Sequence, residues 1–147
     1  SIDHAACMVG IDRIRTWATL IIMASGQNQF TEILITALVR AKMCECLGHR
    51  LGSRAPEKYF SMGLLSVLEA LYEVSMEEIL EKLPLPDEIV EALTHGTGQM
   101  GLVLKCVKAY ETGEWMELKP LHLDPSTIRN FYIDSIDWAN HFSPIIS

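Results

Sequence analysis

From Tyr59 to Leu68 the chain reads Tyr-Phe-Ser-Met-Gly-Leu-Leu-Ser-Val-Leu, without a single charge. Such a stretch has no polar face to offer water. Flanked by helix formers (Glu57 and Lys58 before it, Glu69 to Leu71 after it), it predicts a helix over Glu57 to Tyr72. A helix that is apolar all round belongs at the centre of a bundle, walled by other helices. Gly63 and Ser66, small and nearly one turn apart, predict close approach of a neighbour. The Ser66 hydroxyl is expected to bond back to the preceding turn.

The remaining segments supply those walls. A first helix is expected over Ile2 to Met8, ending at Gly10. A second, Asp12 to Ala24, carries Ile14, Trp17, Ala18 and Ile21 as a stripe and closes at Gly26. Thr31 to Leu47 places Leu34, Ala37, Leu38, Ala41 and Cys44 on one side and Arg40, Lys42 and Glu45 on others, with Gly48 as the expected terminator. Ser75 and Glu78 have capping-box spacing, which opens a helix to Lys82. Pro84 and Pro86 then punctuate the chain before a sixth helix to Thr94. Gln99 to Glu111 forms a seventh, and Glu114 to Leu123 reads as irregular. Asp124-Pro125, a cap followed by proline at the first position, opens the last helix with Ile128, Phe131, Tyr132, Ser135, Ile136, Trp138 and Phe142. No segment alternates as a strand does. The fold class is all-α, one compact bundle of about eight helices over residues 1–147.

Composition narrows the function classes. The formal net charge is −7, and no two Lys or Arg are adjacent, so a surface that tracks nucleic-acid phosphates is not expected. No apolar stretch reaches the roughly 20 residues of a membrane span. Mean hydropathy is +0.18, high for a free-standing domain, which suggests apolar surface covered by a partner or by more of the same polypeptide. Cys7, Cys44, Cys46 and Cys106 lack zinc-type pairing. They read as reduced core residues of a cytoplasmic protein.

Chemistry is hard to find. Of His4, His49, His95, His122 and His141, none precedes an Asp, and no H-x-x-x-H pair exists. There is no G-x-S-x-G elbow. Gly96-Thr97-Gly98-Gln99-Met100-Gly101 matches G-x-G-x-x-G, but it follows a helix instead of a strand, so a helix-breaking joint is the expected role. No metal ligand set, catalytic residue or cofactor is expected.

Several segments in order resemble a known family. Ser1-Ile2-Asp3-His4-Ala5, Met8-Val9-Gly10 and Ile14-Arg15-Thr16-Trp17 are similar to the opening of HDOD domains, all-helical relatives of HD phosphohydrolases. Ala37 to Glu45 and Phe60 to Glu69 resemble the A-L-x-R-A-x-x-C-E and F-x-x-G-L-L-S-x-L-D segments of the subgroup joined to an EAL domain. Met76 to Leu80, Leu83-Pro84-Leu85 and Tyr110 to Trp115 continue the likeness. The resemblance implies an EAL domain and further HDOD helices upstream, in keeping with the Met-less start. It also implies that Ser66 and Val67 stand where an HD enzyme has its metal-binding His-Asp pair, and Ala41 where it has an earlier ligand histidine. Those three side chains cannot hold a divalent cation. The triplets Glu69-Ala70-Leu71 and Glu91-Ala92-Leu93 are helix-forming coincidences, unrelated to the EAL name.

The resemblance implies a non-catalytic signalling module, linked to cyclic di-GMP and acting through a protein partner, a neighbouring EAL domain or a second copy of itself. Trp17, Trp115, Tyr132 and Trp138 would be its aromatic anchors where exposed, although the default place for each is the core. A divergent HD-type phosphohydrolase and a cyclic-nucleotide sensor built on Gly96 to Gly101 are the alternatives.

Overall fold

The computed structural model describes residues 30–71 and 75–141, and over them the chain is helical, with no strand. Seven α-helices occur among the described residues: α1 (Phe30–Arg50), α2 (Pro56–Leu65), α3 (Leu68–Leu71), α4 (Met76–Glu81), α5 (Asp87–His95), α6 (Gly98–Glu111) and α7 (Pro125–His141). A 3-10 helix, Trp115–Leu121, sits between α6 and α7. The expected helices over Ile2 to Met8 and Asp12 to Ala24, and with them Trp17, lie outside the described residues.

The centre of the bundle is α1 against α2, flanked by α7 and α6. Leu34, Ala37, Leu38, Ala41 and Cys44 of α1 are fully buried, as the sequence stripe predicts, and Leu47 continues the row. Every residue from Tyr59 to Leu68 is buried too. Burying one Leu-sized side chain contributes roughly 1.5 to 3 kcal/mol, so this central pair dominates the apolar stabilisation.

Two glycines set how closely the elements meet. A Cβ on Gly63 would stand 2.7 Å from the Ala41 Cα and 2.9 Å from the Arg40 carbonyl oxygen, so α2 rests directly on the α1 backbone. At Gly48 the missing side chain makes room for the Tyr59 ring, whose nearest atom would be 2.5 Å from a Cβ. Gly48 is therefore a packing position and not the expected terminator: α1 continues through it to Arg50, and the turn comes at Gly52, with φ +92°.

The expected helix Glu57 to Tyr72 is interrupted. α2 ends at Leu65, Ser66 and Val67 form a turn, and α3 begins at Leu68. Glu114 to Leu123, expected to be irregular, contains the 3-10 helix instead.

Local signals elsewhere hold. The Ser75 hydroxyl accepts the Glu78 amide at 3.3 Å, one half of the capping box. Asp124 accepts both the amide and the hydroxyl of Ser126 at 2.9 Å, and these bonds hold its carboxyl below the ordinary range. Gly96 caps α5 in the left-handed conformation, φ +66°. A Cβ on Gly101 would meet the Gly96 carbonyl carbon at 2.2 Å. Gly96 to Gly101 is thus the helix-breaking joint the sequence predicts.

Gly63→Ala would gain up to about 1 kcal/mol from helix propensity alone. Against unyielding α1 backbone it is expected to destabilise the fold by roughly 2 kcal/mol instead. Urea unfolding of the two proteins, compared at equal slope, reads the difference.

Candidate functional site

The α2–α3 turn faces α1 at the level of Ala41. Ala41 is completely buried, and Ser66 and Val67 are nearly so. The Ser66 hydroxyl donates to the Gly63 carbonyl at 2.6 Å, the back-bond expected from the sequence. It also accepts from Arg40 Nη1 at 3.0 Å. The same guanidinium donates through Nε to Glu111 Oε1 at 2.8 Å and through Nη2 to Glu111 Oε2 at 2.7 Å. One side chain of α1 therefore joins the end of α2 to the last residue of α6.

The geometry suits arginine specifically. Its planar fork meets a carboxylate in two parallel bonds and still has a third donor direction for the serine. Lysine, a point donor, could not satisfy all three. Glu111 sits at the C-terminus of α6, where the helix dipole disfavours an acid, and Arg40 supplies the compensating charge. The Arg40 side chain is 14% exposed and that of Glu111 is 24% exposed, so water screens the pair only in part. Beneath them lies Cys44, whose thiol is pushed far above the ordinary range by burial, which outweighs the opposing pull of Arg40.

Sequence reading placed Arg40 on a face away from the apolar stripe and did not single out Glu111. The two are 71 positions apart, and no local pattern pairs them. The one available signal was an arginine amid Ala37, Leu38, Ala41 and Cys44.

The aromatic residues divide. Trp138 is partly buried, its ring edge-on to Phe60 at 5.6 Å, with the Lys42 ammonium 5.2 Å from the ring centre. Tyr132 is half-buried and tilted against Tyr110 at 4.9 Å. Trp115 contradicts the core expectation: it is 59% exposed. It opens the 3-10 helix two residues after Gly113, φ +77°, and its ring makes an edge contact with Tyr110 at 5.0 Å. Trp115, Tyr110 and Tyr132 make a continuous aromatic row; Met116, next to Trp115 in the chain, and Ile133 and Ile136, on α7 with Tyr132, are exposed.

A shallow groove of about 470 Å³ runs between the start of α2, α5 and the start of α6, lined by Arg54, Lys58, Tyr59, Glu88, Glu91 and Gln99 among others. Lys58 pairs with Glu88, and the Tyr59 hydroxyl donates to Gln99 Oε1 at 2.8 Å. Acidic and basic groups share its walls, Glu88 and Glu91 with Arg54 and Lys58, beside the Gly98 end of α6. Among the described residues no three His, Cys, Asp or Glu side chains converge on a metal-sized site, and His49, His95, His122 and His141 are dispersed and exposed. No helix among them is long and apolar enough to cross a membrane.

The chain is 28% identical over 147 residues to uncharacterized protein YuxH of Bacillus subtilis. It is 26% identical over 152 residues to cyclic di-GMP phosphodiesterase CdgJ of Vibrio cholerae. It is similar to both along nearly its whole length, 96% and 99% of this chain respectively. Those alignments cover 36% and 35% of the relatives, so the chain spans about a third of the length of the curated relatives it matches. No family model matches the sequence. No solved structure matches it.

Two outcomes follow from this geometry. Glu111→Ala strands a largely buried guanidinium and should lower stability by about 1 to 3 kcal/mol, whereas Ser66→Ala, which removes a hydroxyl and no charge, should cost about 1 kcal/mol. Chemical denaturation of both single variants and the double variant measures their coupling.

Burial also raises the Cys46 thiol, from an ordinary 9.0 to about 11. The folded state thus keeps its proton longer than the unfolded one, and the stabilising contribution, complete below pH 9, declines as pH rises through 11. A Cys46→Ser variant should show a flatter fall in melting temperature across that interval than the parent chain.

Proposed function

We propose that this chain is a non-catalytic output module of a cyclic di-GMP-linked signalling protein, an HDOD domain of the EAL-associated subgroup. It works by recognising a protein partner or a neighbouring EAL domain in the cytoplasm. The observation that carries this reading is the environment of the turn at Ser66 and Val67. Where the resemblance puts metal ligands, the chain has a hydroxyl already committed to Gly63 and Arg40, an aliphatic side chain and, at Ala41, a methyl group. A guanidinium occupies the adjacent space, and its charge would repel a divalent cation. Arg40, Ser66 and Glu111 together fill this place.

The likeness to a cyclic di-GMP phosphodiesterase along 99% of the chain supports the signalling context. That relative's alignment covers 35% of its length, so the activity in its name belongs to a much longer polypeptide. The row of Tyr110, Trp115 and Tyr132, with Met116 and Ile133 exposed beside it, is the surface on which recognition is proposed to occur.

Incubation of the chain with Mg²⁺ or Mn²⁺ and either cyclic di-GMP or a generic phosphodiester should give no turnover above the uncatalysed rate. Metal-dependent hydrolysis that disappears on changing His4, His49 or His95 would establish the phosphohydrolase alternative instead. Binding of cyclic di-GMP tighter than about millimolar, weakened by Arg54→Ala, would favour the sensor.

A further inference from the structure

We propose that Arg40 couples the α2–α3 turn to the aromatic row that ends in the exposed Trp115, so that the two change state together. The first half of this coupling is a conflict between local and tertiary preference. The sequence over residues 57–71 favours one unbroken helix, yet the structure breaks it at Ser66 and Val67. In an unbroken helix the Gly63 carbonyl accepts the Val67 amide. Here the Val67 amide makes no such bond; the carbonyl accepts the Ser66 hydroxyl at 2.6 Å, and Arg40 Nη1 donates to that hydroxyl oxygen at 3.0 Å. Arg40 therefore holds the hydroxyl in the position it takes in the broken form.

The second half lies at the other end of the guanidinium. Its two remaining donor directions hold Glu111, the residue after Tyr110, at 2.8 and 2.7 Å. Tyr110 carries both aromatic contacts of the row, Trp115 at 5.0 Å and Tyr132 at 4.9 Å. A planar guanidinium cannot follow a shift of one partner without losing alignment with the other. Movement of the α6 end consequently weakens the hold on Ser66, and extension of α2 through Ser66 weakens the hold on Glu111. Such a two-state element, biased from both ends, is what physical coupling requires. The inference stands on Arg40's contacts and does not depend on the family reading.

Coupling is reciprocal, and the experiment uses that. Backbone amide exchange and the indole NMR resonance of Trp115 are followed in the 147-residue chain. Glu111→Gln, changed at the α6 end, should slow exchange of the Val67 amide roughly tenfold as that amide gains the Gly63 carbonyl. Ser66→Ala, changed at the turn, should shift the Trp115 indole resonance, while Ser66→Thr, which keeps the hydroxyl, should leave it in place. Unchanged Val67 exchange in Glu111→Gln overturns the proposal. So does a Ser66→Ala response confined to residues 63–71.

Discussion

Contact between the α1 and α2 backbones at Gly63 and Ala41 is the constraint on which the rest of the structure depends. With a Cβ position only 2.7 Å from the Ala41 Cα, the two helices cannot separate or rotate without losing their closest packing. That contact brings the end of α2 under Arg40, and Arg40 in turn reaches Glu111. The spacing of the central pair, an apolar matter, thus decides where the polar network can form. Remove the close approach, and the arginine would have no reason to turn inward.

Much of this was readable from the residues. The uncharged run predicted a central helix because ten residues without charge have nowhere else to go. Leu34, Ala37, Leu38, Ala41 and Cys44 predicted the buried stripe because their spacing follows the helical period. Asp124, Ser75 and Gly96 announced ends that local hydrogen bonding or backbone freedom enforces. In each instance the cause acts within a few residues, so the sequence contains it.

What stayed hidden acts across the fold. Gly48 looks like a terminator by propensity, yet Tyr59, eleven positions on, packs against its bare backbone and the helix continues. Ser66, at the break, is bonded by an arginine from another helix, and Glu111 becomes meaningful only when α6 lies against α1. Trp115 reads as a core anchor by residue type, but its place at the start of a short 3-10 helix leaves it outward. Ala41, Ser66 and Val67 were singled out from the sequence by resemblance alone. The guanidinium beside them was not.

The corner between α5 and α6 carries a mechanical consequence. Because Gly101 rests on the carbonyl of Gly96, the two helices meet as a welded elbow with no slack for a side chain. The groove bounded by that elbow therefore has one stiff jaw, made of Glu88, Glu91, Gly98 and Gln99, and an opposing jaw at the start of α2. Two straps cross between them, Lys58 to Glu88 and Tyr59 to Gln99. Any widening of the groove must be taken up on the α2 side, and since Tyr59 is seated on Gly48, it would be felt along α1.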